Sequence, residues 1–149
     1  MVLTIILSFD TMKKDISWNK IKTETKAIWA GETEPFPFNA TQPPTVNSVA
    51  YNYDDMDEWI SVAKGSKKGH IYGRNTNPTV EILERKIAVL EKAESATAFS
   101  SGMAAISNTL FALLKPKDRV IVGKDTYGGT SKIFMDYLPK FDIDVQFCN

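Results

Sequence analysis

From Asn77 onwards the chain alternates helix-period segments with short strand-like segments joined by brief connections, and this alternation limits the possible folds more than any other feature. Asn77 suits a helix N-cap, and Pro78 suits the first helical position, where its missing N–H costs nothing. Val80, Leu83, Ile87 and Leu90 then recur at spacings of three, four and three, which defines one helical face ending near Ala93. Glu81 and Arg85 form an i,i+4 pair on the outer side. Ser95–Phe99 is short and mostly uncharged and predicts a buried strand. A second helix is expected from Ser101-Gly102, with Met103, Ile106, Leu110 and Leu113 repeating the spacing and Pro116 closing it. Arg119–Gly123 predicts a strand, and a third helix is expected over Gly129–Leu138 with Ile133, Tyr137 and Leu138 facing inward. Ile143, Val145 and Phe147 alternate with Asp142, Asp144 and Gln146, a period of two that fits a strand with one wetter face or near a sheet edge. The pattern is α/β with a mainly parallel sheet and right-handed crossovers. Three strands make a thin sheet, and a parallel sheet is normally covered on both faces, so the pattern reads as the beginning of a larger domain.

The residues up to about Gly69 differ in texture, being rich in turn formers and aromatics. Phe36 to Pro44 carries three prolines and cannot be regular helix. Asp55–Ala63 predicts a short helix, followed by the basic loop Lys64–Gly69. That loop is short and free of interleaved aromatics, so it reads as a solvated connection rather than a nucleic-acid patch. The chain as a whole agrees: 18 Lys and Arg balance 18 Asp and Glu, without the basic excess of a nucleic-acid binder. With 149 residues, 43% hydrophobic and 24% charged, it is long and apolar enough for one globular core, which excludes wholesale disorder. One cysteine (Cys148) and one histidine (His70) write no zinc pattern and no internal disulfide. Met1–Leu7 is apolar but lacks a basic lead and a small-residue cleavage site, and it falls well short of the ~20 residues of a membrane span. Met12 reads as a more natural start, leaving residues 1–11 as a poorly defined extension of a cytoplasmic protein with no membrane partner.

Three junctions could carry chemistry. At Phe99-Ser100-Ser101-Gly102-Met103 a strand is expected to run into a helix, whose first turn offers unpaired N–H groups and positive dipole potential. Gly102 would let an anion approach the backbone closely. The junction suits a phosphate, and equally an ordinary cap. Tyr127-Gly128-Gly129-Thr130 follows the next strand and opens on the same sheet edge, where Tyr127 could stack on an aromatic ligand or simply pack on a neighbour. Tyr72-Gly73-Arg74 precedes the Asn77-Pro78 cap, and Arg74 offers the forked donor suited to phosphate, or is a plain surface cation.

Taken together, Tyr72-Gly-Arg-Asn-Thr-Asn77-Pro78-Thr79, Leu83-Glu84, Leu90-Glu91, Ser100-Ser-Gly-Met-Ala-Ala-Ile106, Asp118 and Tyr127-Gly-Gly-Thr130 resemble the pyridoxal-phosphate (PLP)-dependent Cys/Met metabolism family. That family includes cystathionine γ-synthase, cystathionine lyases, methionine γ-lyase and O-acetylhomoserine sulfhydrylase. Thr25-Lys-Ala-Ile-Trp29-Ala-Gly31 and Pro43-Pro44 match as well, so the likeness spans about Thr25 to Asn149 in order and spacing. The resemblance implies the first part of an aspartate-aminotransferase-like, fold type I large domain, with residues 12–70 as an oligomerisation arm and 71–149 as the start of the PLP-binding domain. It further implies that Gly102 and Met103 bind the cofactor phosphate through backbone N–H groups and that Tyr127 stacks on the pyridine ring. Tyr72 and Arg74 would reach the phosphate of a neighbouring subunit in a homo-oligomer, a tetramer in the family.

The chain departs from the family pattern at Trp29, where histidine is common, and at Lys117, where a turn glycine is usual. The family's Schiff-base lysine, in Ser-x-Thr-Lys, and its cofactor-nitrogen aspartate, in Asp-Asn-Thr, do not occur in these residues. Lys132 in Gly129-Thr-Ser-Lys132 is no substitute, because it falls inside a helix just after the stacking tyrosine. Without that lysine and aspartate the aldehyde has no Schiff-base partner and the ring cannot serve as an electron sink. The expected function is therefore that of the N-terminal portion of a trans-sulfuration enzyme, acting on sulfur amino acids at the γ or β carbon by elimination or replacement. It is expected to be inactive alone and to need a C-terminal segment. The alternatives are a non-catalytic assembly module that completes a partner's phosphate site, or a generic α/β phosphate-binding domain.

Overall fold

The computed structural model describes residues 17–32 and 35–149. The apolar run Met1–Leu7 and the start at Met12 lie outside the described residues. The chain separates into two compact units, one ending at Thr97 and the other beginning at Ala98.

The first unit is mostly helical. A 3-10 turn, Trp18–Lys20, leads into α1 (Thr23–Trp29), and a second 3-10 turn occupies Pro37–Asn39. The proline-rich stretch thus makes only a single tight turn, with Phe38 and Asn39 both at positive φ. Helix α2 (Met56–Ala63) starts where Asp55 accepts hydrogen bonds from the amides of Asp57 (3.1 Å) and Glu58 (3.3 Å). Helix α3 (Pro78–Glu91) starts on Asn77, whose side chain accepts from the amides of Thr79 (2.9 Å) and Val80 (3.3 Å), with Pro78 at the first helical position. The expected Glu81–Arg85 pair is present at 2.9 Å. The expected apolar face is only partly covered, since Val80 and Leu83 stay substantially exposed while Ala88 is buried. The reason is local. Helix α3 meets α1 on a different strip, where Gly31 (φ +83°) lies so close that a Cβ would come 2.6 Å from the Ile82 carbonyl. On the same strip Lys86 Nζ donates to the Ile28 carbonyl (2.7 Å) and pairs with Glu32 (2.8 Å).

Ser95–Phe99 does not form the expected strand and holds only a single bridge position at Thr97. A strand is defined by its neighbour, and this segment spans the division between the two units.

The second unit runs α4 (Gly102–Leu113), β1 (Arg119–Gly123), a helical stretch from Gly128 to Phe141, and β2 (Asp144–Cys148). β1 and β2 pair in parallel, with Arg119 opposite Asp144 and Gly123 opposite Cys148; β2 exposes alternate residues as its period of two predicts, and β1 alternates too, leaving Ile121 exposed. Phe134, Leu138 and Ile143 form the core, packed by Leu110 and Leu114 of the α4 end and by Val120, Val122, Val145 and Phe147 of the sheet. Leu138 is 0% exposed, and burial of such a side chain contributes about 1.5–3 kcal/mol. The helical stretch changes winding, with α5 (Gly128–Lys132), a π turn (Ile133–Tyr137) and a 3-10 turn (Leu138–Phe141). The π turn adds one residue to the turn. Leu138 is buried and Ile133 packs against the core as expected, but the expected Tyr137 is half exposed and Phe134 takes the inward position in its place.

Candidate functional site

The second unit contains three of the five residues singled out from the sequence. Ser101 is the N-cap of α4, its hydroxyl accepting from the Ala104 amide (3.1 Å) and its carbonyl from the Ala105 amide (3.0 Å). The two preceding amides, of Gly102 and Met103, have no acceptor among the described residues, as the first turn of a helix dictates. No acidic side chain stands in that turn. The dipole's positive end and two free donors are therefore uncompensated, which is what an incoming phosphate requires.

Tyr127 reaches the same place from the end of β1. The Lys124 amide extends the strand pairing by donating to the Cys148 carbonyl (3.0 Å), and Thr126 braces the turn through its hydroxyl to Ser131 (2.6 Å). Tyr127 then caps α5 and is 75% exposed. Its ring folds along Gly129, where a Cβ would sit 2.9 Å from Tyr127 Cε1 and 3.2 Å from Met103 Sδ. The bare α-carbon of Gly129 is thus the point where the Tyr127 ring and the Met103 side chain come together. An open aromatic face and a helix start with two unpaired amides are thus joined through the Met103 side chain, an arrangement that suits a flat ring bearing a phosphate ester. The residues present fit pyridoxal phosphate on these grounds.

Tyr72 and Arg74 lie together in the first unit, the guanidinium 4.7 Å from the centre of the Tyr72 ring. Their turn is gripped by the segment before α2. Ala50 and Tyr72 form an antiparallel bridge, the Tyr51 amide donates to the Ile71 carbonyl (3.1 Å), and the Gly73 amide donates to the Val49 carbonyl (2.7 Å). The Tyr53 hydroxyl donates to the His70 carbonyl (3.0 Å) and accepts from the His70 amide (3.2 Å). His70, the one histidine, points Nδ1 at the Thr76 hydroxyl (3.0 Å). Cys148 ends β2 with its thiol 3.5 Å from the Val122 carbonyl.

Sequence reading picks out the Tyr127-Gly128-Gly129-Thr130 turn but gives a role only to Tyr127. Thr130 is 8% exposed and donates to Met103 Sδ at 3.7 Å. A threonine near a helix start reads as an ordinary polar residue, and only the folded turn shows what it touches. No helix among the described residues is long and apolar enough to cross a membrane.

Solved structures share this fold. The crystal structure of metB from Corynebacterium glutamicum superposes with a TM-score of 0.78 at 30% identity, covering 90% of this chain and 33% of that one. A Campylobacter jejuni structure carrying N'-pyridoxyl-lysine-5'-monophosphate superposes with a TM-score of 0.80 at 27% identity, covering 87% and 32%. The fold is that of the fold type I PLP-dependent enzymes. The sequence profile of the Cys/Met metabolism PLP-dependent enzymes matches residues 24–149, and the chain belongs to that family. Among its relatives are an O-acetyl-L-homoserine sulfhydrylase from Corynebacterium glutamicum (37% identical over 124 residues, 83% of this chain and 28% of the relative) and an L-methionine gamma-lyase from Fusobacterium nucleatum subsp. polymorphum (37% over 123 residues, 83% and 31%). The chain spans about a third of the length of the relatives it matches.

Proposed function

We propose that this chain supplies the cofactor-phosphate cradle and ring-stacking face of a cytoplasmic PLP-dependent trans-sulfuration enzyme. The enzyme acts on sulfur amino acids by γ- or β-elimination or replacement, of the cystathionine γ-synthase and cystathionine lyase type. The observation that carries the proposal is the meeting of Met103 and Tyr127 at Gly129, beside the unpaired amides of Gly102 and Met103. In it, the Gly102 and Met103 amides hold the phosphate and fix its position. Tyr127 covers one face of the ring and excludes water from it. Tyr72 and Arg74 bring a cation and a phenol to the phosphate of an adjoining subunit in a homo-oligomer. Bound PLP supplies an electron sink for carbanion chemistry at the substrate α-carbon. The lysine and aspartate that such chemistry needs are supplied by a further segment, and the chain alone is inactive.

Pyridoxine 5′-phosphate, which has the phosphate and ring but no aldehyde to react with surface lysines, tests the reading. The chain is expected to bind it in calorimetry and to bind pyridoxine, without the phosphate, at least about tenfold more weakly, the worth of one charge-assisted anion contact. Equal affinity for the two compounds contradicts a phosphate cradle. With pyridoxal phosphate itself in place of these analogues, absorption from a Schiff base at one stoichiometric lysine of this chain contradicts the need for a further segment.

A further inference from the structure

We infer that Thr130 is a positioning residue for the cradle: its buried hydroxyl, donated to Met103 Sδ, holds the first turn of α4 against the Tyr127–Gly129 turn. This rests on the proposed function for its consequence, though not for its geometry. Thr130 is 8% exposed, and its hydroxyl meets the Met103 thioether at 3.7 Å. A thioether is a weak acceptor, yet no other acceptor for this hydroxyl is recorded among the described residues. Met103 is at once the second residue of α4, whose amide is free, and the side chain that fills the space at Gly129. One side chain therefore connects two elements that reach the site by separate routes, α4 through its Ser101 cap and Tyr127 through the turn after β1. Two adjacent residues of one turn meet Met103. Thr130 holds the sulfur, and Gly129 leaves room for it beside the Tyr127 ring. A group that must present two amides at a fixed distance from a stacking ring benefits from such a tie, because binding is sensitive to small displacements of its donors.

The test uses the full chain with 13C-methyl methionine. There are five methionines, so the Met103 methyl resonance is assigned with Met103→Leu. Thr130→Val keeps the shape and removes the hydroxyl; Thr130→Ser keeps the hydroxyl. Thr130→Val is expected to move the Met103 resonance in the free chain and to weaken pyridoxine 5′-phosphate binding about two- to tenfold, the lower range for coupled neighbours. Thr130→Ser is expected to restore both. On the Met103→Leu background, Thr130→Val is expected to add little further loss, since the acceptor is already gone. An unmoved Met103 resonance overturns the proposal, as does unchanged affinity in Thr130→Val or full additivity of the two substitutions. Should the parent chain bind no pyridoxine 5′-phosphate, the proposed function fails, and the methyl resonance still decides whether Thr130 fixes Met103. If Thr130→Val does not fold, the Met103→Leu and Thr130→Ser pair decides: Met103→Leu must weaken binding and Thr130→Ser must not.

Discussion

The two units are held together by different physics. Residues 98–149 have an apolar core of Phe134, Leu138 and Ile143 under a parallel strand pair. Residues 17–97 bury mainly small side chains, Ala30, Val62, Ala88 and Ala96. They are tied instead by side chains that bond to main chain far away in sequence: Tyr53 to His70, Asn77 to Val46 (2.9 Å), Thr79 to Pro44 (3.2 Å), and Lys86 to Ile28. Apolar burial tolerates changes of detail as long as volume is kept. Polar ties do not, because each depends on one donor and one acceptor in place. Substitutions should therefore act through volume in the second unit and through single atoms in the first.

The largest effect is expected at Leu138. Leu138→Ala opens a cavity under the strand pair and should cost about 2–5 kcal/mol, read as lost amide-exchange protection across β1 and β2. Protection equal to the parent chain would break the assignment of the core to this side chain. Gly31→Ala comes next. It forces an alanine to φ +83° with its Cβ against the Ile82 carbonyl, and should cost about 1–3 kcal/mol. All three tryptophans, Trp18, Trp29 and Trp59, lie in the first unit, so their fluorescence follows this loss during urea unfolding. Tyr53→Phe removes one atom that serves two hydrogen bonds and should cost about 1–2 kcal/mol in the same assay; an unchanged midpoint would show that the tyrosine grip on the Tyr72–Arg74 turn is not a tie.

The smallest effect is expected at Lys67, which pairs with Glu58 at 2.6 Å on the surface. The hydrogen bond from Lys67 to Glu58, helped by the carboxylate charge, holds the ammonium above the ordinary lysine value of 10.5. A raised value means that the pair's contribution is present below pH 10.5 and is lost as pH rises through the raised value. Glu58→Gln should return Lys67 towards 10.5 in an NMR titration, with no measurable change in the unfolding midpoint at neutral pH, because the pair is exposed. A midpoint that moved would blur the distinction between surface pairs and the half-buried Lys86–Glu32 tie.

The sequence was most legible where hydrophobic period and cap chemistry act locally. Asn77-Pro78, the Ser101 cap, β1 at Arg119–Gly123 and the alternation before Cys148 all stand where their residues place them. It was least legible where a partner decides. Ser95–Phe99 has a strand's composition but no ladder, and the buried strip of α3 is chosen by Gly31 and Lys86 rather than by the Val80–Leu90 stripe. The π turn at Ile133–Tyr137 shifts one inward position, which no fixed helical period can foresee. At the site, the motifs named Gly102, Met103 and Tyr127. The closeness that joins them runs through Gly129 and Thr130, and depends on two segments meeting in space.

Backbone amide NMR of the full chain titrated with pyridoxine 5′-phosphate tests the central claim most directly. The account predicts that the Gly102 and Met103 cross-peaks move downfield together, with saturation matching the calorimetric affinity, and that the Tyr127 ring resonances shift with them. Binding that leaves both amides in place while shifting resonances elsewhere would contradict it.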